Sequence, residues 1–368
     1  VSNGFNFETR SFSSVANIAE NAYLSSYNRL EGAVNLTRCI TPQGLYGVCT
    51  SSQFDCSLIG GRIRGQCNIG FSCCVVGKGC GEETYVNNTY FTGPGTLGTG
   101  PGVCHHYVYR QIRDEICQIR LDFDFMDLAP PVTKEDSIET RDGHCLIDVF
   151  EIQGGTIKNT PLCGQNSGHH MYIHVDRQYT SPVILSIKST GIYASRSWQI
   201  RISQIPCSSD YRAPSGCHQY FTDIRGTIFS YNYLPSATTN QELAGSFTNY
   251  CFRKETGFCG ICYTQCGPQD ISTFSISAFD GLQTDKDGAN CDSDFLFIPC
   301  ATQSYSKLSS STPCNVDNIC GRQFGVWCSP ISPFMLMHKS NLIETRGESS
   351  RGFCIHYQLQ SCQGKNTR

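Results

Sequence analysis

The chain has 368 residues, a formal net charge of −3 and 24 cysteines. The near-neutral charge lacks the basic footprint of a nucleic-acid or anionic-membrane binder, and no apolar run reaches the ~18 residues of a membrane span. An even, dense cysteine set argues for a disulfide framework in an extracellular protein rather than for free thiols, and a length beyond ~250–300 residues argues for more than one domain.

The first residue is valine, as in a processed protein. Residues 1–38 lack cysteine, and Phe12, Val15, Ile18, Ala19, Ala22, Tyr23 and Leu30 recur at helical spacing, which predicts a partly helical arm. Asn35 and Asn87 open N-x-[ST] sequons, the acceptor pattern of a secreted glycoprotein.

From residue 39 to 79 the cysteines are compressed: Cys39, Cys49, Cys56, Cys67, Cys73 and Cys74. Adjacent Cys73 and Cys74 lie too close in the chain to bond each other in ordinary geometry, so each should reach a distant partner. A segment this short builds little core, and bridges supply the stability instead. The six cysteines and their closing pair resemble a clip domain, the arthropod disulfide knot that often precedes serine-protease domains. That resemblance implies Cys39–Cys73, Cys49–Cys67 and Cys56–Cys74. Gly93 to Gly98 fits GxGxxG but leads into a strand with no helix to hold a phosphate, so it reads as a surface loop.

From Cys117 to Phe125 apolar and polar residues alternate, the period of a strand with one buried face. His144–Ile152 is a short apolar run, and Leu162-Cys163-Gly164 closes a turn before a strand over Met171–Val175. The pattern then recurs. Cys80 and the following Tyr90-Phe91-Thr92 are answered by Cys217 and Tyr220-Phe221-Thr222. Cys104 and Cys117 are answered by Cys251 and Cys259, Cys145-x-x-Asp148 by Cys291-x-x-Asp294, and Cys163-Gly164 by Cys320-Gly321. The closing strands correspond too, Trp198–Ile202 up to Cys207 with Phe353–Tyr357 up to Cys362. Two diverged copies of one unit follow, over 80–210 and 211–368. Short strands between Gly, Pro, Asn and Ser turns, without long helices, make the class mainly β and the architecture an antiparallel sandwich.

These strands and cysteines resemble the CUB domain, a jelly-roll-like β-sandwich of extracellular proteins. The whole arrangement is similar to a family of secreted arthropod proteins with a clip-like module and two CUB-type domains, through the phrases CQIRLDFDF from Cys117, CGQNSGHHMY from Cys163, APSGCHQYFT from Ala213 and GFCGI from Gly257. The resemblance implies Cys80–Cys104 and Cys145–Cys163 in the first copy, and Cys217–Cys251 and Cys291–Cys320 in the second. Cys117 and Cys207 then meet if their strands are antiparallel neighbours, and Cys259–Cys362 repeats the arrangement. Cys300–Cys314 suits a loop staple, while Cys262, Cys266, Cys328 and Cys354 stay unassigned.

Many CUB domains hold calcium through a Tyr, a Glu and two Asp residues, and Asp148 and Asp294 match one of those positions. The rest of the motif departs: Ala-Pro-Pro follows Leu128, Ile187-Lys-Ser-Thr190 stands where the last Asp is expected, and the second copy has Lys339-Ser-Asn341. Calcium needs six to eight oxygens with enough negative charge, so the expectation is that neither copy keeps the site and that no cofactor is bound. CxxC at Cys259–Cys262 reads as structural disulfides, and His105, His106, His169, His170 and His174 as satisfied or surface histidines rather than metal ligands. No GDSGG, HExxH or G-x-S-x-G is present, so no catalytic residues are expected. The expected function is a secreted, non-enzymatic structural or interaction protein that binds protein partners or its own copies. The alternatives are a regulatory component of a haemolymph protease cascade, with the clip-like module docking a protease, and a carbohydrate-binding module using Tyr231 and Tyr233 as exposed platforms.

Overall fold

The structure, a computed structural model, describes residues 34–68, 70–111, 115–133, 142–176, 181–234, 241–267, 273–276, 286–287, 291–303, 314, 316–342 and 350–362. The helical spacing read in the arm lies outside the described residues, and from Val34 the chain is already a strand. Contacts divide the chain into two compact units, residues 1–77 with 86–89 and residues 78–85 with 90–368.

The first unit contains β1 (Val34–Ile40), β2 (Tyr46–Thr50), the short helix α1 (Gln53–Leu58), β3 (Gly61–Gln66) and most of β4 (Ser72–Lys78). Its sheet runs β1-β2-β4-β3, all antiparallel. Ser52 starts α1 by accepting the Asp55 amide on its hydroxyl at 3.1 Å, the usual role of a serine at that position. Successive strand residues point to opposite faces, so neighbouring Cys73 and Cys74 leave β4 on different sides. Cys73 joins Cys39, Cys74 joins Cys56, and Cys49 joins Cys67. The unit's two small apolar clusters are built largely from these half-cystines, with Val48 and Val76 the main aliphatic contribution.

The second unit holds two sandwiches. In the first, β5 (Glu83–Thr84), β7 (Gly102–Val108), β11 (Val183–Ser189) and β9 (Asp148–Gln153) form one sheet in that order; β6 (Thr89–Gly93), β12 (Ser197–Pro206), β8 (Ile116–Asp127) and β10 (His170–His174) follow one another in the facing sheet. The alternation read in the sequence is physical: Ile119, Leu121 and Phe123 of β8 point into the core, which they share with Leu185 and Ile187 of β11 and Ile200 and Ile202 of β12. Phe123 meets Phe150 edge-on at 5.8 Å, joining the two sheets.

The second sandwich contains β13 (Gln219–Phe221), β14 (Arg225–Phe229), β15 (Phe247–Phe252), β16 (Phe258–Gln265), β17 (Phe274–Ser275), β18 (Lys286–Asp287), β19 (Phe295–Ala301), β20 (Val316–Cys320), β21 (Val326–Ser329), β22 (Phe334–Lys339) and β23 (Gly352–Ser361). Its strand orders β13-β15-β22-β19 and β14-β23-β16-β21 reproduce β5-β7-β11-β9 and β6-β12-β8-β10, down to the short opening strand that pairs in parallel with the third. Bridges follow the same plan: Cys80–Cys104, Cys117–Cys207 and Cys145–Cys163 correspond to Cys217–Cys251, Cys259–Cys362 and Cys291–Cys320. The second copy adds β17, β18 and β20 together with Cys262–Cys328, Cys266–Cys354 and Cys300–Cys314.

Candidate functional site

At one end of the first sandwich the loop after β6 and the start of β9 converge on Arg196, which lies just before β12 and whose side chain is 0% exposed. Its Nε and Nη2 donate to the two Asp148 carboxylate oxygens at 2.9 and 2.8 Å, a bidentate fork. Nη2 also donates to Ser189 Oγ at 2.7 Å and to the Gly191 carbonyl at 3.0 Å, while Nη1 donates to the Gly98 and Gly100 carbonyls at 3.0 and 2.8 Å. The loops after β6 and β11 and the start of β9 are thus tied to one buried cation. Asp148 also accepts the Ala129 amide at 2.9 Å. Beside this hub the Tyr193 hydroxyl donates to Asp127 at 2.9 Å, and burial with that carboxylate pushes the phenol up to about 12.

This donor set does not fit a calcium ion at Asp148. Both carboxylate oxygens are held by a guanidinium, whose positive charge fills the role a divalent cation would take, and the surrounding carbonyls point at the same group. In the second copy Asp294 is fully buried and accepts the Asn341 amide at 2.6 Å, while Arg351, two residues before Phe353 as Arg196 is before Trp198, lies over the Tyr233 ring. Among the described residues the one cluster of three or more His, Cys, Asp or Glu ligand atoms is Cys39, Cys49 and Cys67, all consumed in bridges.

The four cysteines that the sequence left open form Cys262–Cys328 and Cys266–Cys354, so the CxxC sulfurs serve separate bridges. Asn35 lies in β1. Asn87 is half-buried and its side-chain oxygen accepts the Asn88 amide at 2.8 Å.

A second feature, absent from the sequence reading, is the joint between the sandwiches. Strand β10 carries the edge of its sheet, and the second sandwich covers it: the Tyr172 amide donates to the His218 carbonyl at 2.8 Å. Gln118 takes the Ala213 amide on Oε1 at 3.0 Å and returns Nε2 to the Ala213 carbonyl at 2.7 Å. Asn232 donates its amide to Asn166 Oδ1 at 2.9 Å and accepts the Gln165 amide at 3.1 Å. Tyr172, Ile205, Ala213 and Tyr220 bury an apolar patch with Cys217 and Cys251, and Tyr231 and Leu243 from the second copy enter the first core.

His170 and His174, on one face of β10, both turn to this joint. His170 Nε2 accepts the Tyr220 amide at 3.0 Å; His174 Nε2 donates to the Cys217 carbonyl at 2.9 Å. His105 contacts Ser186 Oγ at 2.8 Å, and His106 is buried against Phe91, where desolvation lowers it to about 4. His105, His170 and His174 are thus hydrogen-bonded, whereas buried His106, with no hydrogen bond at either ring nitrogen, departs from the satisfied-or-surface reading of the sequence. Tyr231 and Tyr233 contradict their reading as exposed platforms. They are 4% and 3% exposed, Tyr231 donating to the His170 carbonyl and Tyr233 stacked on Phe229, so neither offers a platform for a sugar. An open groove of about 590 Å³ on the second sandwich is lined by Arg225, Thr227, Thr264, His356, Tyr357 and Gln358 on β14, β16 and β23.

Residues 214–360 match the profile of the Animal CUB domain. The match spans the second sandwich almost from end to end, and the strand-for-strand correspondence gives the first sandwich the same topology. No curated protein sequence matches the chain. Among solved structures, the chain is similar to the CUB1-EGF-CUB2 domains of rat MASP-1, at 13% identity over 75% of this chain and 99% of that one, with a TM-score of 0.24. The CUB1-EGF-CUB2 domain of human MASP-1/3 matches at 14% identity over 73% and 98%, with a TM-score of 0.23. The full extracellular region of zebrafish Gpr126/Adgrg6 matches at 10% identity over 78% and 38%, with a TM-score of 0.26. No helix among the described residues is long and apolar enough to cross a membrane.

Proposed function

We propose that this is an extracellular, non-catalytic protein whose two sandwiches present a rigid loop rim to other proteins, including copies of itself. The observation that carries the reading is the Arg196 hub. It ties its own loop and the loop after β6 to the start of β9 with a covalently supplied cation, so the rim is preorganised without an added ion. A preorganised surface loses less conformational entropy on binding, which favours recognition over chemistry. The CUB match over the second copy and the twelve bridges agree with an oxidising compartment and a protein-interaction role. The N-terminal unit, held by its three bridges, would be a docking module of its own. Light scattering of the purified full chain over a concentration series tests self-recognition. Association that weakens when the rim is altered supports it, and a strictly monomeric particle at high concentration removes the self-assembling form.

A further inference from the structure

We propose that the joint between the two sandwiches is an acid-released lock, closed while His170, His174 and His218 are neutral and opened when they take up protons.

Each ring is placed so that its neutral form is required. His170 Nε2 faces the Tyr220 amide N–H at 3.0 Å and can only accept. His218 Nδ1 faces the Asn249 N–H at 3.0 Å and accepts, while its Nε2 donates to the Lys158 carbonyl at 3.2 Å. His174 Nε2 donates to the Cys217 carbonyl, leaving Nδ1 to accept from Gln118 Nε2 at 3.1 Å. Gln118 cannot turn its amide over to accommodate a proton there, since Oε1 and Nε2 are both committed to Ala213. A second proton on any of these rings would set N–H against N–H, at His170 and His218 in a buried site, converting a favourable bond into an unsatisfied, charged contact.

The surroundings act in the same direction. From the segments packed on these rings come Arg120 of β8, beside His170, and Arg212, between β12 and β13, beside His174; His169 adjoins His170, and His174 acts on His218. Arg120 shares its carboxylate partner Asp122 with Arg201 and donates to the Tyr172 hydroxyl. Rings also pack here, Tyr172 and Phe221 around His170 and Phe247 against His218, and Asp176 lines an open groove with His174 and Arg212. Burial is the largest influence on each, lowering His170 well below its ordinary value and lowering His174 and His218. These three therefore stay neutral at physiological pH and charge on acidification. Opening would also free the Tyr172 amide of β10 from His218, uncovering a sheet edge.

Amide exchange of the full chain, followed by NMR from about pH 7 to about pH 4.5, tests this. Protection at Tyr172, Tyr220 and Asn249, normalised to Ile119 and Ile202 in the first core, should fall by about tenfold or more on acidification. A ratio that stays constant, whether through no change or through uniform unfolding, overturns the proposal. The double variant His170→Gln with His218→Asn keeps an acceptor near each amide but cannot titrate. Its release midpoint should move toward acid, and an unmoved midpoint also overturns the proposal. If that variant does not fold, the wild-type exchange ratio decides alone.

Discussion

Arg196 shows how one side chain can replace an ion. A guanidinium offers five donors in a fixed plane, and here they reach a carboxylate, a hydroxyl, two carbonyls of the loop after β6 and one carbonyl of its own loop. Removing one member of a buried pair leaves the other uncompensated. Arg196→Met should therefore cost about 3–5 kcal/mol, read as a lowered urea midpoint, whereas Arg196→Lys keeps the charge, loses the fork and falls between. Calorimetry with calcium should give no heat of specific binding for the wild type; saturable binding abolished by Asp148→Asn would contradict the account of the hub. A second single-residue test lies in the first core. A Cβ on Gly93 would sit 2.0 Å from Trp198 Cζ2, far inside contact, and Trp198 is 2% exposed with no room to retreat. Gly93→Ala should lower stability by about 1–3 kcal/mol, the range for overpacking, and Gly93→Ala with Trp198→Leu should recover less than a fully accommodating core would. Equal stability of Gly93→Ala and wild type would refute the contact.

At the scale of elements, the repeated strand plan was legible because it follows from local chemistry. Alternation in β8 placed Ile119, Leu121 and Phe123 on one face, and turn residues marked where strands end. Most bridges were legible through resemblance, because cysteine spacing within each copy is retained. Cys262–Cys328 and Cys266–Cys354 were not, since they depend on register: Cys262 and Cys328 are direct partners across β16 and β21, and no local pattern reveals which strands become neighbours. Arg196 was overlooked for a similar reason. It lies in a Ser-Arg-Ser turn with no periodicity, and its partners come from residues 98, 100, 148, 189 and 191. Tyr231 and Tyr233 were misplaced because an aromatic in a polar loop reads as exposed until packing covers it: Tyr231 enters the first core, and Tyr233 packs on Phe229, Cys266 and Cys354 of its own sandwich. Chain separation also ranks the bridges. Cys259–Cys362 spans 103 residues and Cys300–Cys314 spans 14. If loop entropy dominates, replacing the first pair with alanines should cost about 1.7 kcal/mol more than replacing the second. Calorimetric melting of the two double variants checks the order, and a reversed order would put the difference in native packing instead.

For the second unit as a whole, buried neutral histidines couple folding to pH even apart from the joint. His106 is fully buried in the first sandwich, stacked on Phe91 at 5.1 Å. Desolvation is the largest cause of its fall from 6.5 to about 4, ahead of the opposing influence of Glu82. Above pH 6.5 neither the folded nor the unfolded chain protonates this ring, so it adds no pH dependence there. Between 6.5 and about 4 the unfolded chain binds the proton and the folded chain does not, and stability falls as pH falls. At pH 4.5 the loss from this one group is about 2–3 kcal/mol, growing little once both states are protonated. The joint histidines act with the same sign, but His106 lies in the core and can be separated from them by substitution. His106→Leu, which fills a similar space beside Phe91, should flatten the acid limb of a stability–pH curve by about that amount while leaving exchange at Tyr220 and Asn249 as acid-sensitive as before. Urea unfolding at several pH values measures the first effect and amide exchange the second. An acid limb as steep in His106→Leu as in wild type would mean that another buried group takes up the proton.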